Sequence, residues 1–278
     1  MVSLFYGFLS GSDNLPQELT LPNGEIKEIT HNLQKANHFI FGFEWEPIKK
    51  TTNGKLTINV EGYLKDFTQL TNLNRNKIYE DEPQFVDEPD VLKKDFIVET
   101  GKAYGVDFLL KYEYKNIYLW TAYSYGFVNR WDGIMEYRPH FDRRHNVNLL
   151  AAWRFGKDGN WELDTRWNFG SGFPFTPTQG FFENISIGNV TTDYTQSNGQ
   201  LGTIYGSINS RPLPTYHRLD ITVKRTIEFE KLKNSVMELA AGVTNTYSRE
   251  NVFYIDRITF KRVNQLPIMP SISVNFTF

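Results

Sequence analysis

The sequence predicts an all-β chain of the antiparallel transmembrane β-barrel class. Three observations carry that prediction. Apolar and polar residues alternate with a period of two in many segments, the polar set holds charges of both signs, and the connections between segments are short and long in turn. A period of two puts successive side chains on opposite faces of a strand. An apolar face backed by a charged one suits lipid on one side and a hydrated lumen on the other, and barrels of this kind have short turns at one end and long loops at the other.

The elements follow in chain order. Met1–Phe8 is a partial strand, and His38–Trp45, Leu56–Leu64, Tyr104–Tyr114 and Ile117–Phe127 are the next four. Arg143–Phe155 sets Val147, Leu149, Ala151, Trp153 and Phe155 against Arg144, Asn146, Asn148 and Arg154. Trp161–Phe169 sets Trp161, Leu163, Trp167 and Phe169 against Glu162, Asp164, Arg166 and Asn168. His217–Phe229 places Leu219, Ile221, Val223 and Ile227 opposite Arg218, Asp220, Thr222 and Lys224, with Arg225 as an exception on the apolar side. Ser235–Tyr247 and Met269–Phe278 complete a set of ten, and the last alternates Ile272, Val274, Phe276 and Phe278 with small polar residues. The short connections are Ile48–Gly54, Lys115–Asn116, Gly156–Asn160 and Glu230–Asn234, and the long ones are Ser10–Asn37, Thr71–Thr100, Val128–Asp142, Gly170–Pro214 and Ser248–Pro267. Pairing Phe155 with Trp161 predicts that Arg154 faces Glu162 across the strands. The turn at Lys115–Asn116 is expected to lodge its positive φ on Asn116, which tolerates it.

Composition narrows the class. The 278 residues include 22 Phe, 15 Tyr and 6 Trp, a load that favours strands and interfacial girdles. No run of apolar residues is long enough for a membrane-spanning helix. Cysteine is absent, which removes thiol chemistry, and a net charge of −2 argues against a nucleic-acid partner. Val2–Leu9 is apolar but lacks the basic flank of a secretory signal, so Met1 is expected to lie inside a longer protein.

Three segments carry a family resemblance. They are Tyr137–Thr176 (YRPHFDRRHNVNLLAAWRFGKDGNWELDTRWNFGSGFPFT), Leu213–Val223 (LPTYHRLDITV) and the terminal SISVNFTF. With Ala36–Pro47 and Gly101–Tyr114 they resemble the C-terminal barrel of TonB-dependent outer-membrane receptors, Bacteroidetes-type ones in particular. The resemblance implies about ten strands of a larger, 22-stranded type of barrel without its N-terminal plug, so that residues 1–278 form one part of the wall. It further implies the bacterial outer membrane as location and membrane lipid as surroundings. Active uptake of a siderophore, cobalamin, glycan or peptide would be driven by the TonB system through the missing plug. A passive porin-like small barrel and a soluble β-sandwich binding protein are the alternatives.

Two groups of residues stand out as sites. Phe173, Phe175, Phe181, Phe182, Tyr194 and Tyr205 lie among amides and hydroxyls in the longest loop. Rigid rings among adaptable hydrogen-bonding groups suit ligand contact, and they equally suit a cap packed on its own aromatics. Asp142, Arg143, Arg144 and His145 gather charge at a strand start. They read as an anion site or, preferably, as a rim and lumen salt-bridge network that supports strand pairing. The five histidines show no metal-ligand spacing, and the acidic stretch Tyr79–Asp90 reads as a solvated loop. No nucleophile elbow occurs. Neither an enzyme, a metal nor a cofactor is expected.

Overall fold

The computed structural model describes residues 16–29, 33–51, 54–78, 82–184, 200–229 and 235–278. The expected strand Met1–Phe8 and the ring of Tyr194 lie outside the described residues, as do residues 79–81, 52–53 and 230–234. Nine long strands occur among the described residues: β1 (Lys35–Thr51), β2 (Gly54–Leu73), β3 (Phe96–Tyr114), β4 (Ile117–Trp131), β5 (His145–Phe155), β6 (Trp161–Gly170), β7 (Tyr216–Phe229), β8 (Ser235–Thr244) and β9 (Met269–Thr277). Each is hydrogen-bonded to the next, in the order β9-β8-β7-β6-β5-β4-β3-β2-β1, and the short strand Glu136–Tyr137 adds to β4. No helix among the described residues is long and apolar enough to cross a membrane.

Strand identity follows the sequence pattern, but strand length does not. β2 has 20 residues and β3 has 19, about twice the nine to eleven that a membrane crossing needs. The expected loop Thr71–Thr100 therefore contains strand at both ends. Its polar residues interrupt the apolar alternation without ending the hydrogen-bonded ladder.

The chain divides into two compact units. The first comprises Met1–Phe41, Gly62–Gly105 and Phe127–Pro139. Within it, Glu18–Thr20 pairs with Ile26–Glu28 as a hairpin, and Trp131 donates its indole N–H to the Thr20 carbonyl at 2.7 Å. Leu19 and Val98 form a small apolar core with Leu21, Ile29 and Phe96. Beside it lies a buried charge network. The Glu99 side chain is 0 % exposed and receives Tyr137 Oη at 2.7 Å, Arg75 at 3.1 Å and Arg130 at 3.3 Å. Arg75 also reaches Asp132 at 3.2 Å and stacks over the Tyr137 ring at 4.2 Å. Burial first, and the Glu99 carboxylate second, push the Tyr137 phenol above its ordinary range.

The second unit comprises Gly42–Glu61, Val106–Gly126 and His140–Phe278. Here the ladders run in unbroken register from β4 to β9. One apolar row reads Ile117, Trp153, Leu163, Val223, Ala241 and Ile272, and another reads Thr121, Leu149, Trp167 and Leu219. The polar rows include Arg154, Glu162 and Lys224, and one step along, Ala152, Asp164 and Thr222. No described residue of these apolar rows is buried: Trp153 is 50 % exposed and Ile272 is 84 % exposed. The soluble-sandwich alternative requires a second layer over this face, which a sandwich would bury as its core.

The apolar face is ringed at both ends of its strands. Trp153 stacks on Phe155 at 4.8 Å, Phe155 faces Trp161 at 6.1 Å, and the Arg225 guanidinium lies 5.0 Å over Trp161. The parity exception at Arg225 thus sits at the short-turn end, on a ring that offers cation–π attraction. At the other end Tyr123 Oη meets His145 Nδ1 at 2.9 Å, and Tyr125 stacks on His145 at 4.7 Å.

The short turns bear out the pairing. β5 and β6 join through Lys157–Gly159, with Gly156 at φ 88° and Asp158 at φ 65°. Arg154 Nε donates to Glu162 Oε2 at 2.8 Å, and Lys224 Nζ reaches the other oxygen at 2.9 Å. The Arg154 side chain is 68 % exposed, so Arg154→Ala is expected to cost well under about 1 kcal/mol in urea unfolding. At the β3–β4 turn it is Lys115, not Asn116, that takes the positive φ (49°). The Lys115 ammonium lies 5.0 Å from the Tyr114 ring, a contact that favours this conformation.

Candidate functional site

The polar face of β5, β6 and β7 forms a depression of about 410 Å³ near the long-loop ends of these strands. Register alone assembles most of it. Asn146 pairs with Gly170, and Gly170 with Tyr216; Asn148 pairs with Asn168, and Asn168 with Arg218. Arg166 stands one row further in, opposite Asp220. Arg143 enters from the segment before β5, and Gln265 from the loop before β9.

The surrounding loops are fastened by two buried asparagines. Asn251 accepts the His217 N–H at 3.1 Å and donates to the His217 carbonyl at 2.9 Å, while its own carbonyl takes the Gln265 N–H at 2.7 Å. Asn245, at φ 54°, donates its amide to the carbonyls of Arg249 and Leu266 and accepts the Arg249 N–H. A short polar side chain tolerates the left-handed conformation and ties its own turn, which suits asparagine here. Neither residue stands out in the sequence. The usable signal was an Asn directly after an apolar strand, at Thr244-Asn245.

Charge in the depression is unevenly matched. Asp220 Oδ2 accepts Arg218 at 2.8 Å, and Asp220 Oδ1 accepts the Asn245 N–H at 2.9 Å, so both carboxylate oxygens are engaged. Arg143 and Arg166 make no ion pair among the described residues. The Arg143 guanidinium lies 4.0 Å over the Phe173 ring and 5.7 Å from that of Tyr216, and its Nε is buried without a hydrogen-bond partner. Burial pushes Arg143 below the ordinary arginine value. Gly170 makes room for it, because a Cβ there would fall 2.4 Å from the guanidinium carbon. Gly170→Ala is expected to drive Arg143 off Phe173 and to lower stability by about 1–2 kcal/mol, the order of a partly desolvated cation–π contact. Calorimetric melting of the variant beside Arg143→Ala checks this, and the two losses should coincide.

The structure separates the charged group at Asp142–His145. Asp142 is buried and pairs with Arg144 Nε at 3.0 Å. His145 goes to the apolar face with Tyr123 and Tyr125, since it shares parity with Val147 and Leu149. Arg143 alone turns into the depression.

The aromatic loop is also divided. Phe173 and Phe175 belong to the base of the loop, where Pro174–Phe175 pairs with Arg211–Pro212. Phe181, Phe182 and Tyr205 ride on a second hairpin, Thr178–Asn184 with Gln200–Tyr205. Phe181 meets Phe260 edge-on at 6.0 Å, and Arg257 lies 4.9 Å over Tyr205. Residues of the loop between β8 and β9 therefore join this cap, a partnership not readable from either segment alone. No group of three or more metal-ligating side chains occurs among the described residues.

No protein-family profile and no curated protein matches the sequence. Solved structures do share its fold. Pseudomonas aeruginosa FpvA bound to heterologous pyoverdines superposes with a TM-score of 0.52 at 8 % identity, over 87 % of this chain and 27 % of that one. FpvAI in complex with pyocin S2 gives 0.53 at 8 % identity, over 87 % and 26 %. The ferric citrate transporter FecA in its unliganded form gives 0.51 at 15 % identity, over 88 % and 31 %. The chain thus spans between about a quarter and a third of these proteins' length, and at such identities the likeness is one of fold. That shared fold is antiparallel β, of the barrel-wall class that the period-two pattern and the connection lengths predict.

Proposed function

We propose that this chain is a portion of the wall of an outer-membrane receptor that takes up a scarce nutrient with energy from the TonB system. The carrying observation is the opposition of two faces in one sheet. An apolar face ringed by aromatics suits lipid, and a face of charged rows suits a wet passage. The fold neighbours, among them a ferric citrate transporter and a receptor bound to pyoverdines, support the same reading. The aromatic hairpin and the Arg143 depression lie where the long loops begin, a position suited to contact with an incoming solute. No catalytic step enters this reading.

The test is cellular. The protein should sediment with the outer membrane and leave it only in detergent. Cells expressing the whole reading frame should accumulate a labelled nutrient only while the TonB motor is intact. Recovery in the detergent-free soluble fraction would overturn the membrane reading, and uptake indifferent to TonB would favour a passive pore.

A further inference from the structure

The geometry points to the depression framed by Arg143, Arg166 and Arg218 as a binding site for a small oxyanion-bearing solute with at least two negative charges. This rests on the receptor reading above for its orientation toward a passage, and it names the chemical class that the passage selects.

The argument is one of unmatched charge. Three guanidinium groups line the site, and the one facing carboxylate, Asp220, is engaged by Arg218 and by the Asn245 N–H. Two positive charges remain without a counter-charge among the described residues. Nearer the short turns of the same strands, Arg154 pairs with Glu162, and Lys224 with Glu162 and Asp164. On β5, β6 and β7 the excess of positive charge therefore gathers at the depression.

The neutral groups fit the same ligand. Asn146, Asn148, Asn168 and Gln265 supply amide N–H donors around the arginines, and Tyr216 adds a hydroxyl. Guanidinium forks match carboxylate and phosphate oxygens in pairs, which makes arginine the suited cation for either. Arg143 is held over the Phe173 ring and against Gly170, with its Nε buried, so the guanidinium that lines the depression is fixed in place before a solute arrives. The volume of about 410 Å³ admits a solute of organic-acid or pyrophosphate size.

The experiment is a calorimetric titration of the full chain in detergent with citrate, pyrophosphate and the uncharged trimethyl citrate. Binding of either anion, and none of the ester, is expected; preference between the two anions separates a carboxylate-type ligand from a phosphate-type one. Arg143→Gln and Arg166→Gln should each weaken binding about tenfold or more, as for loss of a charged hydrogen bond, and the double variant should abolish it. Arg154→Gln, on the same face but away from the depression, should leave it unchanged. If the double glutamine variant loses its strand circular dichroism, Arg143→Lys/Arg166→Lys decides: retention of measurable citrate or pyrophosphate binding supports the site, and complete loss overturns it. No binding of either anion by the native chain, equal binding of the ester, or equal weakening by Arg154→Gln would each overturn it. Anion binding in a protein whose uptake ignores TonB would leave this site standing while the transport reading falls.

Discussion

Replacing Ile221 by arginine is expected to lower folding stability in a lipid bilayer by about 2–4 kcal/mol, the cost of a cation at mid-depth on a lipid-exposed strand. Ile221 occupies the middle of the apolar face, in a row with Ala151, Thr165 and Val243. Nothing polar lies within its row except Thr165. Arginine at 225, two rows toward the short turns, is native, and there the guanidinium rests on Trp161 and can reach water. The control is Ala152→Arg, on the polar face opposite Asp164, where the new charge gains a partner and stability should stay within about 1 kcal/mol of native. Urea unfolding in lipid vesicles, followed by tryptophan fluorescence, measures both. Equal losses in the two variants would mean that the faces are not distinguished by lipid.

The second large effect concerns the first unit. Glu99→Ala is expected to destabilise it by about 3 kcal/mol. The carboxylate is fully buried, and its removal takes a charged partner from Arg75 and Arg130 and the acceptor from the Tyr137 hydroxyl, while Arg75 keeps Asp132. Breaking a buried ion network by deleting one partner costs about 3–5 kcal/mol, because the opposite charges stay desolvated. The figure lies at the low end because Arg75 and Arg130 are 30 % and 20 % exposed and can partly rehydrate. Hydrogen exchange should show the loss in the backbone of residues 96–100 and 128–137, with the ladders from β5 to β9 unaffected. Protection lost evenly along the chain would show that the network does not act locally.

Much of the fold was legible because it depends on parity. A strand whose one face meets lipid and whose other meets water must alternate, and the pairing of Phe155 with Trp161 set the whole β5–β6 register by counting outward from one turn. Strand length was not legible. Beyond Leu64, β2 no longer alternates cleanly, yet hydrogen bonds to its neighbours carry it on to Leu73. The Glu99 network was invisible for a different reason: Arg75, Arg130 and Tyr137 lie 24, 31 and 38 residues from it, within two stretches, Thr71–Thr100 and Val128–Asp142, that both read as loops. The depression was half legible. Arg143 drew attention as part of a charged run, whereas Arg166 and Arg218 looked like ordinary members of a polar face. Extending the Phe155–Trp161 register by seven residues would have set Asn148 beside Asn168, and so revealed where these charges converge.

The uninterrupted rows from β4 to β8 also bear on how this protein can vary in length. An insertion of one residue early in β6 would turn every later side chain of that strand to the opposite face, sending Arg166 to the apolar face and Trp167 to the polar one. An insertion of two would shift the strand without exchanging its faces. Length changes among relatives should therefore come in even steps within these strands. Odd steps should collect where pairing already slips, as between Thr178 and Gly180 in the aromatic hairpin and between Val252 and Tyr254 in the loop before β9. The wall would then diverge under an arithmetic constraint, while the hairpins above it change one residue at a time.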